Sequence, residues 1–547
     1  MKAEYAPSST NKPPLKRIAI DLTPLLPGGD NGGAKPLAIE LIRRLARGAP
    51  RCEFILLTSE KSHEELKLLD ASNVQRLCTA RPESAGSIFL GMGLRARRLL
   101  LRFLPESALQ KAGKLYGAVF DNAPPRTSLL RQIAADLLFC PFTGVLFFDP
   151  AVPVVSLVHD LQYLYYPEFF EPEVRQERDR HFRHVCRLAS RLVCVSEYTR
   201  TTVLEQTDLP PERVVAIPSA PQERLGAPAK PARQPGRYLL YPANFWRHKN
   251  HEMLLTAFGM FRAGHPASDL KLVLTGAPGA RRDELMAATR RMGLAEWVVF
   301  PGYLPDEEFA VLLASCAAMI FPSLFEGFGM PVLEAMAAGA PVLCSNRTSL
   351  PEVAGEAALL FDARRPAEIV DAIARLESSP ELRRTLAEKG KQRVSWFSGP
   401  AEMAARYLQV FEDVVRHPAE TMPAVYGVFS DGWTSGRMTV VFGAAAEARR
   451  LTVKLKAPEW IPAEAVSIRV LPGAEVHRIE RGCGQEFTRE LPGGKAGTIE
   501  FCCSPTFEPA QCGGGEDYRA LGCLLESATI FGPTGDVQQL PTHADAA

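Results

Sequence analysis

Nothing in this chain is apolar for long enough to span a bilayer, which excludes a transmembrane helix. Residues Met1–Pro14 are polar and proline-bearing, with no apolar signal region, so a cytoplasmic protein is expected. Twelve cysteines are present, yet none forms a Cys-x-x-Cys pair or joins a Cys/His cluster of zinc spacing. Cys140, Cys194, Cys316 and Cys344 sit in apolar strand-like runs, where a thiol acts as a small hydrophobe. Adjacent Cys502 and Cys503 point to opposite faces of a further run, and reduced thiols are expected throughout. Charge of one sign is also lacking: 63 Lys and Arg face 62 Asp and Glu, which argues against a dedicated nucleic-acid binder. The balance is uneven, however. Residues 418–547 hold 11 basic and 16 acidic side chains, leaving the remainder with a surplus of about six positive charges. A basic body suits a nucleotide-diphosphate ligand, and the acidic tail reads as a separate module.

What is present is an alternation of strands and helices in two blocks, over a length of 547 residues that accommodates about three domains. The first block offers strands at Arg17–Asp21, Glu53–Thr58, Asp136–Cys140, Val154–His159, Arg191–Val195 and Val214–Ile217. The second offers Tyr238–Tyr241, Lys271–Thr275, Val298–Phe300, Ala317–Phe321, Val342–Cys344 and Ala358–Phe361. Strands alternating with helices predict two doubly wound parallel sheets, Rossmann-like, facing a cleft. The expected organisation is a disordered segment at 1–14, a first domain at 15–222, and a proline- and alanine-rich linker at 223–236. A second domain follows at 237–398, then a helix at 399–417. From Val425 the texture changes to short strands between Gly and Pro turns, which predicts an all-β sandwich at 423–535 before a disordered tail at 536–547.

Residues 321–346 (FPSLFEGFGMPVLEAMAAGAPVLCSN) carry the densest signal. A strand empties into a loop with Glu326-Gly327-Phe328-Gly329, and a helix is then expected to start with Pro331 at its first position, carry Glu334 in its first turn and end at Gly339. Glycines let backbone N–H groups approach an anion, and the helix N-terminus adds a favourable dipole. Carboxylates in such a place are poor phosphate ligands but good acceptors for sugar hydroxyls. The pattern fits an activated sugar, with its diphosphate on the amides and its hydroxyls on Glu326 and Glu334. The plainer alternative is a tight strand-to-helix turn with a capping Glu.

Glu326 and Glu334, with seven residues between them, resemble the Glu-x7-Glu motif of retaining family-four (group 1) glycosyltransferases of the GT-B fold, over about Arg17 to Val415. The resemblance implies that Glu326 contacts the transferred sugar and Glu334 holds the nucleotide ribose. It implies too that Gly327, Phe328, Gly329 and Met330 line the donor. Lys249, in YPANFWRHKNHEMLL after the second block's first strand, resembles the family lysine that neutralises the leaving diphosphate, with Asn250 beside it. The family pairs that lysine with an arginine, for which Arg247 is the nearest candidate although oddly placed. His159, in Val158-His159-Asp160 at a strand end, matches the family's active-site histidine, expected to bond the sugar and perhaps through its carbonyl. Gly32 and Gly33, in Gly28-Gly29-Asp30-Asn31-Gly32-Gly33, resemble the glycine loop that faces the donor phosphates; no Lys-Ser/Thr follows, which excludes a Walker loop. Thr275 and Gly276 stand at a strand end where the nucleotide would rest. The helix at Pro400–Arg416 looks placed to cross back onto the first domain, as in the family.

Together these residues imply a retaining hexosyltransferase moving a sugar, first guess mannose from GDP-mannose, to a glycan or lipid-linked acceptor in surface polysaccharide synthesis. The His-Asp segment with its aromatics and the Phe-Trp-x-His-Lys-Asn string most resemble bacterial polysaccharide mannosyltransferases. No metal and no cofactor are expected, since cationic side chains and dipoles take the diphosphate and no Asp-x-Asp cluster ends a strand. Residues 86–114 interleave Arg95, Arg97, Arg98, Arg102, Lys111 and Lys114 with leucines, which suggests peripheral contact with an anionic membrane or a lipid-linked acceptor, or else a helix packed on its own domain. Two rivals stay open: a nucleotide-sugar epimerase on the same fold, and a non-catalytic carbohydrate-binding scaffold.

Overall fold

The computed structural model describes residues 15–27, 32–79, 129–149, 151–221, 237–417, 424–428, 431–442, 450–473, 475–491, 497–507, 521–532, 537–540 and 542–544. The segment 1–14, the basic stretch 86–114, the linker 223–236 and residues 28–31 of the glycine loop lie outside the described residues. No helix among the described residues is long and apolar enough to cross a membrane. The chain divides into two compact units, one of Met1–Thr79, Asp136–Leu146 and Val154–Val415, the other of Ala80–Ala135, Phe147–Pro153 and Arg416–Ala547.

The first unit holds two parallel sheets, which define its two lobes. The first sheet contains β1 (Arg17–Asp21), β2 (Glu53–Thr58), β3 (Val74–Cys78), β4 (Leu137–Cys140), β5 (Val154–Val158), β6 (Arg191–Cys194) and β7 (Val214–Ala216), in the order β3-β2-β1-β4-β5-β6-β7. The second contains β8 (Tyr238–Pro242), β9 (Lys271–Thr275), β10 (Val298–Gly302), β11 (Ala318–Phe321), β12 (Val342–Ser345) and β13 (Ala358–Phe361), in the order β10-β9-β8-β11-β12-β13. Their central strands are apolar almost throughout: every residue of β4, β5, β11 and β12 is buried. Such runs suit only a sheet covered on both faces, which parallel crossovers provide by placing helices there. In each sheet the winding reverses beside the first strand, at β1/β4 and at β8/β11. Loops leaving the carboxyl ends of those strands diverge and open a crevice.

Six helices matter for the site: α1 (Ala34–Gly48), α2 (Glu197–Glu205), α3 (His251–Gly264), α4 (Met330–Ala337), α5 (Leu350–Ala354) and α6 (Pro400–Arg416). Helix α6 returns to the first lobe. Its Tyr407 and Phe411 rings lie 5.7 and 5.1 Å from that of Phe139 on β4, all three fully buried. Asp413 of α6 pairs with Arg191 of β6 at 2.6 Å, and Arg406 donates to the carbonyl of Ala216 on β7 at 3.0 Å.

Among its described residues the second unit is all-β apart from the short helix Leu129–Gln132. One sheet runs β18-β17-β20-β15-β14-β23 and the other β19-β16-β21-β22. These strands are β14 (Ala424–Val428), β15 (Thr434–Phe442), β16 (Arg450–Lys456), β17 (Ala465–Leu471), β18 (Val476–Glu480), β19 (Gly484–Glu490), β20 (Gly497–Ser504), β21 (Leu524–Phe531), β22 (Val537–Gln539) and β23 (Thr542–Ala544). A single apolar core takes Val440, Ile468 and Phe501 from one sheet and Val453, Leu455 and Ala528 from the other. Strict alternation, as in β17 (AVSIRVL, every second residue buried), makes these strands legible. Sequence patterning overlooked β18, β22 and β23, and the last two are strands within the stretch 536–547 expected to be a disordered tail. Only Ile479 of β18 is buried and none of β22, so neither carries an apolar face.

Candidate functional site

Adjacency of β8 and β11 brings their trailing loops together. The Leu324 N–H donates to the His248 carbonyl at 2.8 Å, and the Tyr241 hydroxyl donates to the Lys249 carbonyl at 2.6 Å. Asn250 holds a left-handed conformation (φ 60°), and its amide donates to the carbonyls of Pro322 (3.1 Å) and Ala363 (2.7 Å). Fixed in this way, the β8 loop delivers Lys249 to the β11 loop, where Nζ lies 2.5 Å from Glu326 Oε1. Each side chain is only 12% exposed, and the ammonium also sits 5.4 Å from the centre of the Phe321 ring. Such a pair interacts more strongly than one in bulk water. The neighbouring histidines add no charge: burial pushes His248 down to about 2 and His251 to about 3.

The backbone of the loop is more specialised than its side chains. Ser349 Oγ lies 2.9 Å from both the Glu326 and the Phe328 carbonyl, and the Gly327 carbonyl accepts from Ser196 Oγ (2.6 Å) and Thr199 Oγ1 (3.0 Å). Three consecutive carbonyls are therefore held by hydroxyls. In a trans peptide the next residue's N–H points opposite each carbonyl, so the N–H groups of Gly327, Phe328 and Gly329 all face away from those hydroxyls. None of the three has a hydrogen-bond acceptor among the described residues. A run of unclaimed N–H groups at a helix N-terminus is an anion cradle, and α4 begins at the next residue.

The first lobe meets this loop directly. A Cβ on Gly327 would lie 1.8 Å from the His159 carbonyl oxygen, so only glycine permits the approach. Gly32, at φ +53°, packs beneath the Trp246 ring, with 2.6 Å between the site of a Cβ and the nearest ring carbon. Glu352 of α5 reaches the first lobe and accepts from the N–H groups of Glu197 and Tyr198 at 2.9 and 2.8 Å, capping α2.

Other sequence-derived candidates are placed as follows. His159 lies at the end of β5 with Nε2 2.8 Å from the Pro141 carbonyl; burial lowers its pKa, so the neutral ring donates from Nε2 and its own carbonyl faces Gly327. Glu334 is 3% exposed in the second turn of α4. Gly33 precedes α1 with open space around it, and Met330 is partly buried at the start of α4. Thr275 ends β9, its carbonyl accepting from Ala243, while Gly276 packs closely on the Ala243 carbonyl. Arg247 is exposed in the turn before Lys249 and has no side-chain partner among the described residues. Sequence reading missed Ser196, Thr199, Ser349 and Glu352. Ser196-x-x-Thr199 was visible only as a helix cap, and nothing local reveals that its hydroxyls meet a loop 131 residues away.

The strand order agrees with comparisons to known proteins. The model of the glycosyl transferases group 1 matches residues 227–393, and that of glycosyltransferase family 4 matches residues 31–220. Among curated relatives, the O-antigen chain mannosyltransferase B of Escherichia coli is 32% identical over 221 residues, 38% of this chain and 57% of the relative. The MMP alpha-(1->4)-mannosyltransferase of Mycolicibacterium hassiacum is 31% identical over 232 residues, 41% and 55% respectively. The matched region thus spans little more than half the length of these relatives. Among solved structures, sucrose-phosphate synthase from Thermosynechococcus elongatus aligns at a TM-score of 0.53 and 18% identity, over 73% of this chain and 99% of that one. Anabaena HepE in complex with UDP and glucose aligns at 0.51 and 17%, over 73% and 99%. At these identities the structural matches speak for the fold alone. Two Rossmann-like lobes, a carboxylate pair with seven residues between its members and two family models together covering well over half of the chain lead to one conclusion: the chain belongs to the group 1 glycosyltransferases of the GT-B fold, resembles bacterial mannosyltransferases, and carries an added carboxy-terminal β domain.

Proposed function

We propose that the protein transfers a hexosyl group, mannose from GDP-mannose, from a nucleotide-sugar to a glycan or lipid-linked acceptor with retention of anomeric configuration. The observation that carries this reading is the run of three unclaimed amide N–H groups, at Gly327, Phe328 and Gly329, beside the Lys249–Glu326 pair. A diphosphate on those amides would lie within the reach of Lys249. Charge growing on the leaving phosphate would then meet donors already in place, which is where such donors stabilise a transition state most. Glu326, freed from part of its ion pair by the incoming anion, would accept hydroxyls of the sugar, and Glu334 those of the ribose. His159 would contact the sugar from the first lobe, and Gly32, Gly33, Asn250, Met330, Thr275 and Gly276 would shape the donor pocket. Arg247, exposed and unpaired beside Lys249, is a second cation for the diphosphate. Front-face attack by the acceptor hydroxyl, with its proton passing to the donor phosphate, accounts for retention without a protein nucleophile. The named relatives that transfer mannose support the choice of sugar.

The test is to incubate purified protein with a set of nucleotide-sugars and acceptor glycans, free and lipid-linked, and to determine the product anomer by NMR. Transfer from GDP-mannose with retention, unaffected by EDTA, is the expected result. Donor consumption without an acceptor would mark an epimerase or hydrolase instead, and donor binding with no turnover a scaffold. The basic stretch 86–114 is the segment expected to meet a lipid surface, tested by sedimentation with anionic vesicles at low salt.

A further inference from the structure

The hydroxyls that orient the cradle come from two different lobes. Ser349, which holds the carbonyls of Glu326 and Phe328, belongs to the second lobe together with the cradle itself. Ser196 and Thr199, which hold the carbonyl between them, belong to the first. The middle peptide, whose N–H is that of Phe328, is thus oriented across the cleft. Its clamp is assembled with care for so small a feature. Ser196 accepts the Thr199 N–H at 3.0 Å as cap of α2, which leaves its hydroxyl hydrogen for Gly327. Ser196 is fully buried and Thr199 1% exposed, so solvent cannot replace either donor. The Glu352 carboxylate, from the second lobe, then accepts from the two N–H groups that follow Ser196. All four hydrogen bonds are accordingly donated from the start of α2 and accepted by the α4–α5 region. A negative charge on a helix N-terminus adds a favourable interaction with its dipole. Behind Glu352, the Arg393 side chain donates to the Glu352 and Val353 carbonyls, which fixes α5.

We propose that Ser196, Thr199 and Glu352 form a latch between the lobes that orients the donor cradle, so the cradle is complete only when the lobes are together. The inference rests on the transferase reading for its kinetic consequence, though the latch itself is a statement about hydrogen bonding. The three are positioning residues: they act on the ligand through the Gly327–Phe328 peptide. With the lobes apart the middle carbonyl loses both donors, and the Phe328 N–H is free to turn away from its two neighbours. Binding of a diphosphate to the three amides and engagement of the latch consequently favour one another.

Two sets of variants test this. In Ser196→Ala/Thr199→Val the hydroxyls are lost at nearly constant volume, and kcat should fall about 10- to 100-fold, as small misplacements of catalytic groups do. Affinity for the nucleoside diphosphate, held also by Lys249 and the α4 terminus, should fall as well, though by a smaller factor than kcat. Thr199→Ser keeps a hydroxyl and should stay within about threefold of the parent in kcat. For Glu352→Gln, hydrogen exchange at residues 197–199 and 327–329 should accelerate, and small-angle scattering should report a larger radius of gyration. The proposal is overturned if the double variant, folded by its melting curve, keeps parental kcat. It is overturned equally if Thr199→Ser and Thr199→Val lose the same activity, or if Glu352→Gln leaves exchange and scattering unchanged. Should the parent protein turn over no nucleotide-sugar at all, the transferase reading fails, while exchange and scattering still decide the latch.

Discussion

The two lobes of the first unit share a strand order, yet they bury charge at their strand ends in opposite ways. In the second lobe Lys249 and Glu326 neutralise one another at 2.5 Å, and both remain slightly exposed to the cleft. In the first lobe, Asp21 at the end of β1 is 1% exposed with no cationic partner among the described residues. Thr23 donates to Oδ1 from its N–H and hydroxyl (3.0 and 2.6 Å), while Oδ2 has no hydrogen-bond partner among the described residues. Burial raises the Asp21 pKa to about 6. One fold thus holds a mutually neutralising charge pair and a lone carboxyl whose titration burial moves to about pH 6. On the proposed function the paired charge serves binding, whereas the unpaired group makes stability depend on pH.

Breaking the paired side should have the largest effect. Lys249→Ala removes the buried cation and leaves Glu326 uncompensated, so transfer should fall by about 10³-fold or more, with Glu326→Ala similar. Near-parental rates in both variants, measured as kcat/KM for the donor, would remove the assigned roles. Gly327→Ala comes next. Its methyl would meet the His159 carbonyl oxygen at 1.8 Å, forcing the lobes apart at the cradle, and a loss of about 10²-fold is expected. Scattering should show the same opening; an active variant with parental dimensions would mean that the close approach is dispensable.

The unpaired side is sharpened by Asp21→Asn. A folded pKa of about 6 against an ordinary value of 3.8 means that the native state binds the proton more tightly. The stability contributed by that proton is complete below about pH 4 and is lost as pH rises through about 6, the difference amounting to about 3 kcal/mol. Asparagine keeps the oxygen that Thr23 bonds and cannot ionise. Relative to the parent, the variant should therefore gain about 3 kcal/mol between pH 4 and pH 8, on top of a pH-independent offset for burying the amide. Melting temperatures of both proteins across that range check it, and a difference independent of pH would show that Asp21 is ionised at little cost.

How legible each part was follows the same division. Periodicity in β4, β5, β11 and β12 and alternation in β17 announced the sheets, because burial on two faces or one writes itself into neighbouring residues. Glu326, Gly327, Gly329 and Lys249 were legible because strand, loop and helix N-terminus are contiguous. Ser196, Thr199, Ser349 and Glu352 were not, since they act through partners contributed by distant segments or the other lobe. A hydroxyl that caps its own helix looks complete on its own. Asp21 is intermediate: its strand was identified, but the isolation of its carboxyl depends on β4 and the Thr143–Leu146 region folding over it.

The smallest expected effect separates Lys249 from its neighbour Arg247. Both cations lie in one turn, but Lys249 is held by Glu326 and the Phe321 ring while Arg247 is exposed. An exposed charge acts through solvent and is screened by salt, whereas a nearly buried one is not. Arg247→Ala should therefore raise the donor KM less than about tenfold, leave kcat nearly unchanged, and lose even that effect at high ionic strength. A fall in kcat comparable to that of Lys249→Ala, persisting in salt, would instead mean that Arg247 swings inward onto the diphosphate during turnover, and that the arginine of the family pair has been relocated within this turn.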